Sequence, residues 1–413
     1  MKIHIESKQQ DRDIIATFIA LIYVLVAHWT YLNFVNTRLC LATVLVLSIM
    51  YFLSKCKSNV YISVYNFQML LICGGSLIGV TYSTGFSDGI RFSLQIILAT
   101  VLVIVLQNSK KVMDAIYRAL TVSGLVCVIF ILIQWFMKSD FNKFLFTHLQ
   151  SEAYQETITL GSYGYMTGLS GYTSIAGFIS ACIIGVYGIN FTLSPKKKIG
   201  HNLRSVVIMF LSIIALVMTQ KRGLFIAVIC SFLVVLVVSA INQKNGKRII
   251  GMIIFGLVIA LVLSWVLINT ESGRLMMNRF LKKGDFSSGR YELWRNLLSD
   301  LDGIHLLIGH GTGATAATYN IGAHNIFIQI LYDNGVVMLF LYLIWFISSI
   351  MKTITMRIHG VEQDKKRYIS LFVQIVFIIY GFVGNPLYDF CLLMIYIYYT
   401  TLISMLGKGG ITK

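Results

Sequence analysis

Three groups of side chains in this sequence are of the type that handles a phosphorylated substrate. Arg222, preceded by Lys221, interrupts an otherwise apolar stretch at 205–242. A charge at the centre of a membrane helix costs about 2.5–3.5 kcal/mol, and less near the interface, so it needs a partner or a task. A guanidinium presents a rigid fork to phosphate oxygens, which makes Arg222 a candidate anion ligand. The competing reading is a Lys-Arg pair snorkelling to the membrane edge. The second group is Arg274, Arg279, Lys282, Lys283, Arg290 and Arg295, crowded into 22 residues. Such a cluster either attracts an anionic substrate or is a solvated loop balanced by Glu271, Asp285 and Glu292. The third is His324, just ahead of the apolar run that opens at Ile326. A helix N-terminus disfavours imidazolium and leaves a neutral ring able to accept a proton near pH 7, as a general base must. A hydrogen-bonded cap is the alternative. His324, Arg222 and Arg290 are therefore the candidate catalytic residues, with Lys221, Arg274, Arg279 and Asn325 as candidate substrate contacts.

Other chemistries find less support. His305, His310 and His324 are spaced by five and fourteen, which matches no familiar zinc pattern, so no metal is expected. Gly309-x-Gly311-x-Gly313 follows no strand and is weak as a nucleotide loop. Of the seven cysteines, Cys40, Cys73, Cys127, Cys182, Cys230 and Cys391 lie in or at the ends of apolar runs and Cys56 in a short basic loop, which argues against a disulfide framework. The net charge of +17 is scattered over short loops and forms no nucleic-acid stripe.

The elements that must position these residues are membrane helices. The chain is 57% hydrophobic and 12% charged, with a mean hydropathy of +0.76. Apolar runs of about 20 residues, enough to cross roughly 30 Å of hydrocarbon, recur along it. We place helices at 14–34, 39–53, 60–80, 92–107, 116–137, 172–192, 205–219, 223–242, 249–268, 326–350, 368–384 and 387–406. The predicted fold is all-α, a polytopic bundle of about twelve transmembrane helices forming a single membrane domain over 1–413. The first run lacks a cleavage site and reads as a retained helix. With both termini cytoplasmic, 22 Lys and Arg fall inside and 12 outside, the favoured sense. Only 138–171 and 269–325 are substantial outer segments. Within the latter, Tyr291, Trp294, Leu297, Leu298 and Leu301 recur at helical spacing, which predicts an amphipathic helix over 289–301. A loop so organised forms a lid or site wall.

Three stretches together, Ser288-Gly-Arg-Tyr-Glu-Leu-Trp294, Ile308-Gly-His-Gly-Thr-Gly313 and Ala323-His-Asn-Ile-Phe-Ile-Gln-Ile-Leu-Tyr-Asp-Asn-Gly335, resemble the C-terminal signature of the O-antigen ligase and O-antigen polymerase superfamily. Thr219-Gln-Lys-Arg-Gly223 looks like that family's arginine turn, whereas Gly168-Leu-Ser-Gly-Tyr172 lacks the proline that related chains carry there. The resemblance implies a glycosyltransferase of the bacterial inner membrane, without cofactor. It would move a glycan from undecaprenyl diphosphate to a sugar hydroxyl on the periplasmic face, with 269–325 forming part of the active site. A polymerase, extending lipid-linked repeat units for O-antigen or a related surface polysaccharide and able to work with a chain-length regulator, is favoured. A ligase that transfers polymer to lipid A core is the alternative, and a flippase for lipid-linked oligosaccharide is the third reading. In this scheme Arg222 and Arg290 neutralise the departing diphosphate and His324 takes the acceptor proton.

Overall fold

The computed structural model describes residues 2–55, 63–193, 199–242, 289–356 and 360–408, with isolated positions between 256 and 278. Among these the chain is helical and has no strand, only one isolated bridge between Leu32 and Leu149. The helices are α1 (Lys2–His28), α2 (Thr37–Lys55), α3 (Val64–Thr81), α4 (Phe86–Leu106), α5 (Lys110–Phe136), α6 (Lys138–His148), α7 (Ser151–Ser162), α8 (Thr173–Thr192), α9 (Ile199–Met218) and α10 (Arg222–Asn242). They continue with α11 (Arg290–Ser299), α12 (Gly303–Ile308), α13 (Ala314–Tyr319), α14 (Ile326–Thr355), α15 (Val361–Gly381) and α16 (Phe390–Lys408).

Six of them, α3, α4, α5, α8, α10 and α14, are long and apolar enough to cross a membrane. Shorter apolar stretches lie in α1, α2, α9 and α16. The protein is a polytopic helical membrane protein. The run expected at 249–268 lies mostly outside the described residues, and Arg279, Lys282 and Lys283 lie outside them. Chain breaks follow local chemistry: the Ser63 hydroxyl accepts from Asn66 N to open α3, and the Ser109 hydroxyl accepts from Val112 N to open α5.

Helices α8, α15 and α16 form the buried centre, and almost every residue of α8 is enclosed. Rings interlock there: Phe377 stacks on Tyr396 at 4.2 Å between centroids and meets Phe178 edge-on at 6.2 Å. Each such pair contributes about 0.5–1.5 kcal/mol beyond area burial. Small residues bring backbones together, as membrane packing favours; a Cβ on Gly185 of α8 would lie 2.3 Å from the Phe372 ring of α15. Around this centre Phe18, Phe67 and Ile78 turn outward as a lipid-facing surface would.

Residues 138–171, expected as an outer segment, fold as α6 and α7 followed by a turn of 3-10 helix at Gly168–Ser170. The expected helix at 289–301 is α11, Arg290–Ser299. Long helix α14 breaks at Gly335, whose φ of 73° and ψ of 179° leave the helical region. The break makes room for α12: a Cβ at Gly335 would stand 2.2 Å from the Leu307 carbonyl oxygen.

Candidate active site

The ends of α1, α7, α9 and α15 and the starts of α2, α4, α8, α10, α11 and α16 gather at one end of the bundle around a cleft of about 2320 Å³. Every outer segment inferred from the sequence with described residues contributes to this end. Helices α8, α10 and α16 all begin on the cleft wall, so their positive dipole ends add to its cations.

Arg222 is the first residue of α10 and lies half-buried on the wall beside Lys221. The turn before it is set by Gln220, a non-glycine residue at φ 52°. The Gln220 side-chain amide donates to the carbonyls of Tyr163 and Gly164, at 3.4 and 3.0 Å. The Met166 N–H donates to Met218 O at 3.0 Å, so the turn is tied to the segment below α7. That segment is itself pinned by Gln134 of α5, whose Oε1 accepts from the N–H groups of Thr167 and Gly168, both at 2.8 Å.

Arg290 opens α11, and its guanidinium donates to the Val383 carbonyl at 2.6 Å, joining the outer segment to the turn between α15 and α16. His324 follows a residue clamped on both sides. Trp294 Nε1 donates to Ala323 O at 2.7 Å, and Ala323 N donates to Gln329 Oε1 at 3.0 Å. The His324 backbone is left-handed, φ 53°, a conformation that His adopts more readily than most side chains. The histidine pKa is pushed down to about 4, first by partial desolvation at the cleft wall and then by Arg290 and Lys221. Both cations therefore stand close enough to act on it. The direction is the one expected, but the cause is not the helix dipole, since Asn325 rather than His324 holds the cap.

The Asn325 side chain accepts from the N–H groups of Phe327 and Ile328 at 3.0 and 3.2 Å and does not line the cleft. Arg274 is exposed and lines no part of it either. Arg279 lies outside the described residues. The structure thus brings Lys221, Arg222, Arg290 and His324 to one cleft. His305 and His310 stack on each other at 4.2 Å, and His310 on Tyr332 at 4.5 Å, away from the cleft wall that carries His324.

The glycine-rich stretch is a strap. Gly309, Gly311 and Gly313 all have positive φ, and the strap presses into the turn between α3 and α4, where a Cβ on Gly311 would lie 2.4 Å from Ser83 Cα. Thr312 Oγ1 donates to Asn334 Oδ1 at 2.6 Å, and Thr315 donates to Asp333 Oδ1 through its N–H at 2.7 Å and its hydroxyl at 2.6 Å. Asp333, Asn334 and Gly335 of the signature thus anchor the strap to the kink in α14.

Several cleft residues have no counterpart in the sequence reading. Asp389 lies at the start of α16, and its carboxylate accepts from the N–H groups of Cys391 and Leu392 at 3.1 and 3.4 Å. Burial pushes its pKa up to about 6, against these hydrogen bonds and Lys221, which pull it down. Tyr31 and Tyr172 pack at 4.6 Å on the same wall. Arg38 and Arg91 also line the cleft. Each is the lone cation of a short connection between expected helices, a signal visible in the sequence but too weak without the packing.

Residues 207–343 match the family model for O-antigen ligase. The match takes in the arginine turn, α11, the strap and His324, and bears out the resemblance to the O-antigen polymerase and ligase superfamily. No curated protein matches the sequence.

Proposed function

We propose that this protein is a glycosyltransferase of the bacterial inner membrane that polymerises undecaprenyl-diphosphate-linked oligosaccharide on the periplasmic face. About twelve helices would form its single membrane domain, with both termini cytoplasmic and 269–325 as part of the active site. The observation that carries this reading is that Lys221, Arg222, Arg290 and His324 line one cleft, with Lys221 and Arg290 close enough to His324 to act on its charge. Nucleotide sugars are absent outside the cytoplasm, so the donor must carry its own leaving group. An acceptor hydroxyl oxygen attacks the anomeric carbon, and the bond from that carbon to the diphosphate oxygen breaks. The electron pair leaves with the diphosphate, and the hydroxyl proton passes to the neutral His324. Arg222, Arg290 and Lys221 meet the charge that develops on the leaving oxygen. The incoming diphosphate partly neutralises the two cations that hold the histidine pKa down, so donor binding moves the ring toward the pKa range of an effective base.

A ligase that passes polymer to lipid A core would use the same cleft, and the family description favours keeping it as the second reading. A flippase is less well supported, because transporters place their ionisable groups near the bilayer midplane whereas these line one end of the bundle. The test is deletion of the gene followed by display of surface polysaccharide on a gel. Surface lipid capped with a single repeat unit is expected. Complete loss of attached sugar with long lipid-linked chains retained would mark a ligase and overturn the polymerase reading.

A further inference from the structure

A second cationic wall of the cleft is not used by the chemistry above. Arg38 is the second residue of α2 and Arg91 the sixth of α4, two helices that pack on each other, and both side chains are exposed on the cleft wall. Asp88, Glu152 and Glu156 line the same cleft, yet among the described residues no carboxylate forms an ion pair with either arginine. At the opposite end of the bundle Arg367 pairs with Asp364 at 2.8 Å, and Lys366 pairs with Asp114.

Beside the two arginines the cleft wall becomes apolar. Ile90, Leu94 and Leu98 form one stripe along α4, about 12 Å long at 1.5 Å per residue, and Leu41 and Ala42 of the packed helix α2 line the same cleft. Leu94 is 58% exposed and opens this stripe to a ligand. Two unpaired guanidiniums at the mouth of an apolar groove complement a diphosphate with a hydrocarbon tail. At about 2320 Å³ the cleft is more than twice the roughly 1,000 Å³ upper end for small-molecule pockets, room for two glycolipid heads.

We propose that Arg38 and Arg91, with the Ile90-Leu94-Leu98 stripe, form a second polyprenyl-diphosphate site that holds a lipid-linked acceptor while Lys221, Arg222 and Arg290 hold the donor. The inference rests on the polymerase reading, in which donor and acceptor share one lipid carrier. Asp88, Glu152 and Glu156 are then placed to accept hydrogen bonds from the acceptor sugar's hydroxyls.

The experiment counts bound undecaprenyl diphosphate, radiolabelled, on the purified full chain in phosphatidylcholine nanodiscs. Two copies per protein are expected for the wild type, one for the Arg38→Gln/Arg91→Gln variant and one for Arg222→Gln. Loss of a charge-assisted contact should weaken the affected site roughly tenfold or more. Leu94→Trp, which fills the groove and leaves both arginines in place, should also bind one copy. Two copies retained in the double arginine variant, or a single wild-type copy that only Arg222→Gln removes, overturns the acceptor site and leaves the donor reading intact. Displacement of the second copy by phosphatidylglycerol in the nanodisc identifies an ordinary anionic-lipid site and also overturns it. No binding to the wild type defeats the donor reading itself.

Discussion

His324 owes its position to neighbours rather than to its own contacts: Trp294 and Gln329 fix the peptide before it, and desolvation, aided by Arg290 and Lys221, keeps its ring neutral. Because the backbone there is left-handed, alanine would add strain to the loss of the ring, while asparagine tolerates that conformation. His324→Asn should therefore fold normally, keep its donor dissociation constant and lose about 10² to 10⁴ in turnover per folded molecule. An unchanged rate would remove His324 from the mechanism. Asp389 gives a second expectation at this scale. Its carboxylate caps α16 and so steadies the turn whose Val383 carbonyl receives Arg290. With its pKa raised to about 6, the charged cap is present above that pH and lost below it. kcat/KM should fall as pH drops through about 6, and Asp389→Asn, a neutral side chain that mimics the protonated acid and does not titrate, should hold the low-pH rate across the range. A limb that persists in the variant would belong to another group. That Arg222, Arg290 and His324 would share a site was suggested by the sequence, because Arg222 and His324 stand where an apolar pattern breaks and Arg290 belongs to a crowded basic cluster; the structure places all three on one cleft. Asp389 was not suggested, because a single carboxylate after Asn385-Pro386 looks like any turn residue until burial is known.

The elements show which parts of the signature act as structure. Tyr332-Asp333-Asn334-Gly335 and Gly309 to Gly313 belong to the same signature as His324, yet the strap and the kink brace each other and leave the cleft wall to Gly313 alone among them. Gly335→Ala meets both a positive φ and a carbonyl at 2.2 Å, whereas Gly303→Ala meets a positive φ in open space. The second change should cost only the left-handed penalty of about 1–2 kcal/mol. The first should lower the thermal unfolding midpoint well beyond that, with activity falling in proportion to folded protein. Equal midpoints in detergent would show that the kink does not brace the strap. Helix existence was legible from apolar run length, and the amphipathic α11 from its period. The helices of 138–171 were not, since Ser151–Ser162 carries no sustained apolar stripe and its order depends on tertiary ties such as Thr157 Oγ1 donating to Gly171 O at 2.9 Å.

Across the whole molecule, charge and cleft define two unlike ends. One end holds Lys365, Lys366 and Arg367 in ion pairs with Glu362, Asp114 and Asp364. The other holds the cleft, with its converging helix starts and its arginines. In the proposed topology the first end lies in the cytoplasm, the sense that the 22 to 12 split of basic residues favours, because translocation retains Lys and Arg in short loops. A donor that has been flipped across the bilayer can be met only if the cleft faces outward, so orientation and chemistry stand or fall together. In a background without native cysteines, Ser151→Cys on exposed α7 should react with an impermeant maleimide in intact spheroplasts, and Lys111→Cys at the start of α5 should react only after lysis. The reverse pattern would put the cleft in the cytoplasm, where nucleotide sugars are available, and the requirement for a lipid-linked donor would lose its physical basis.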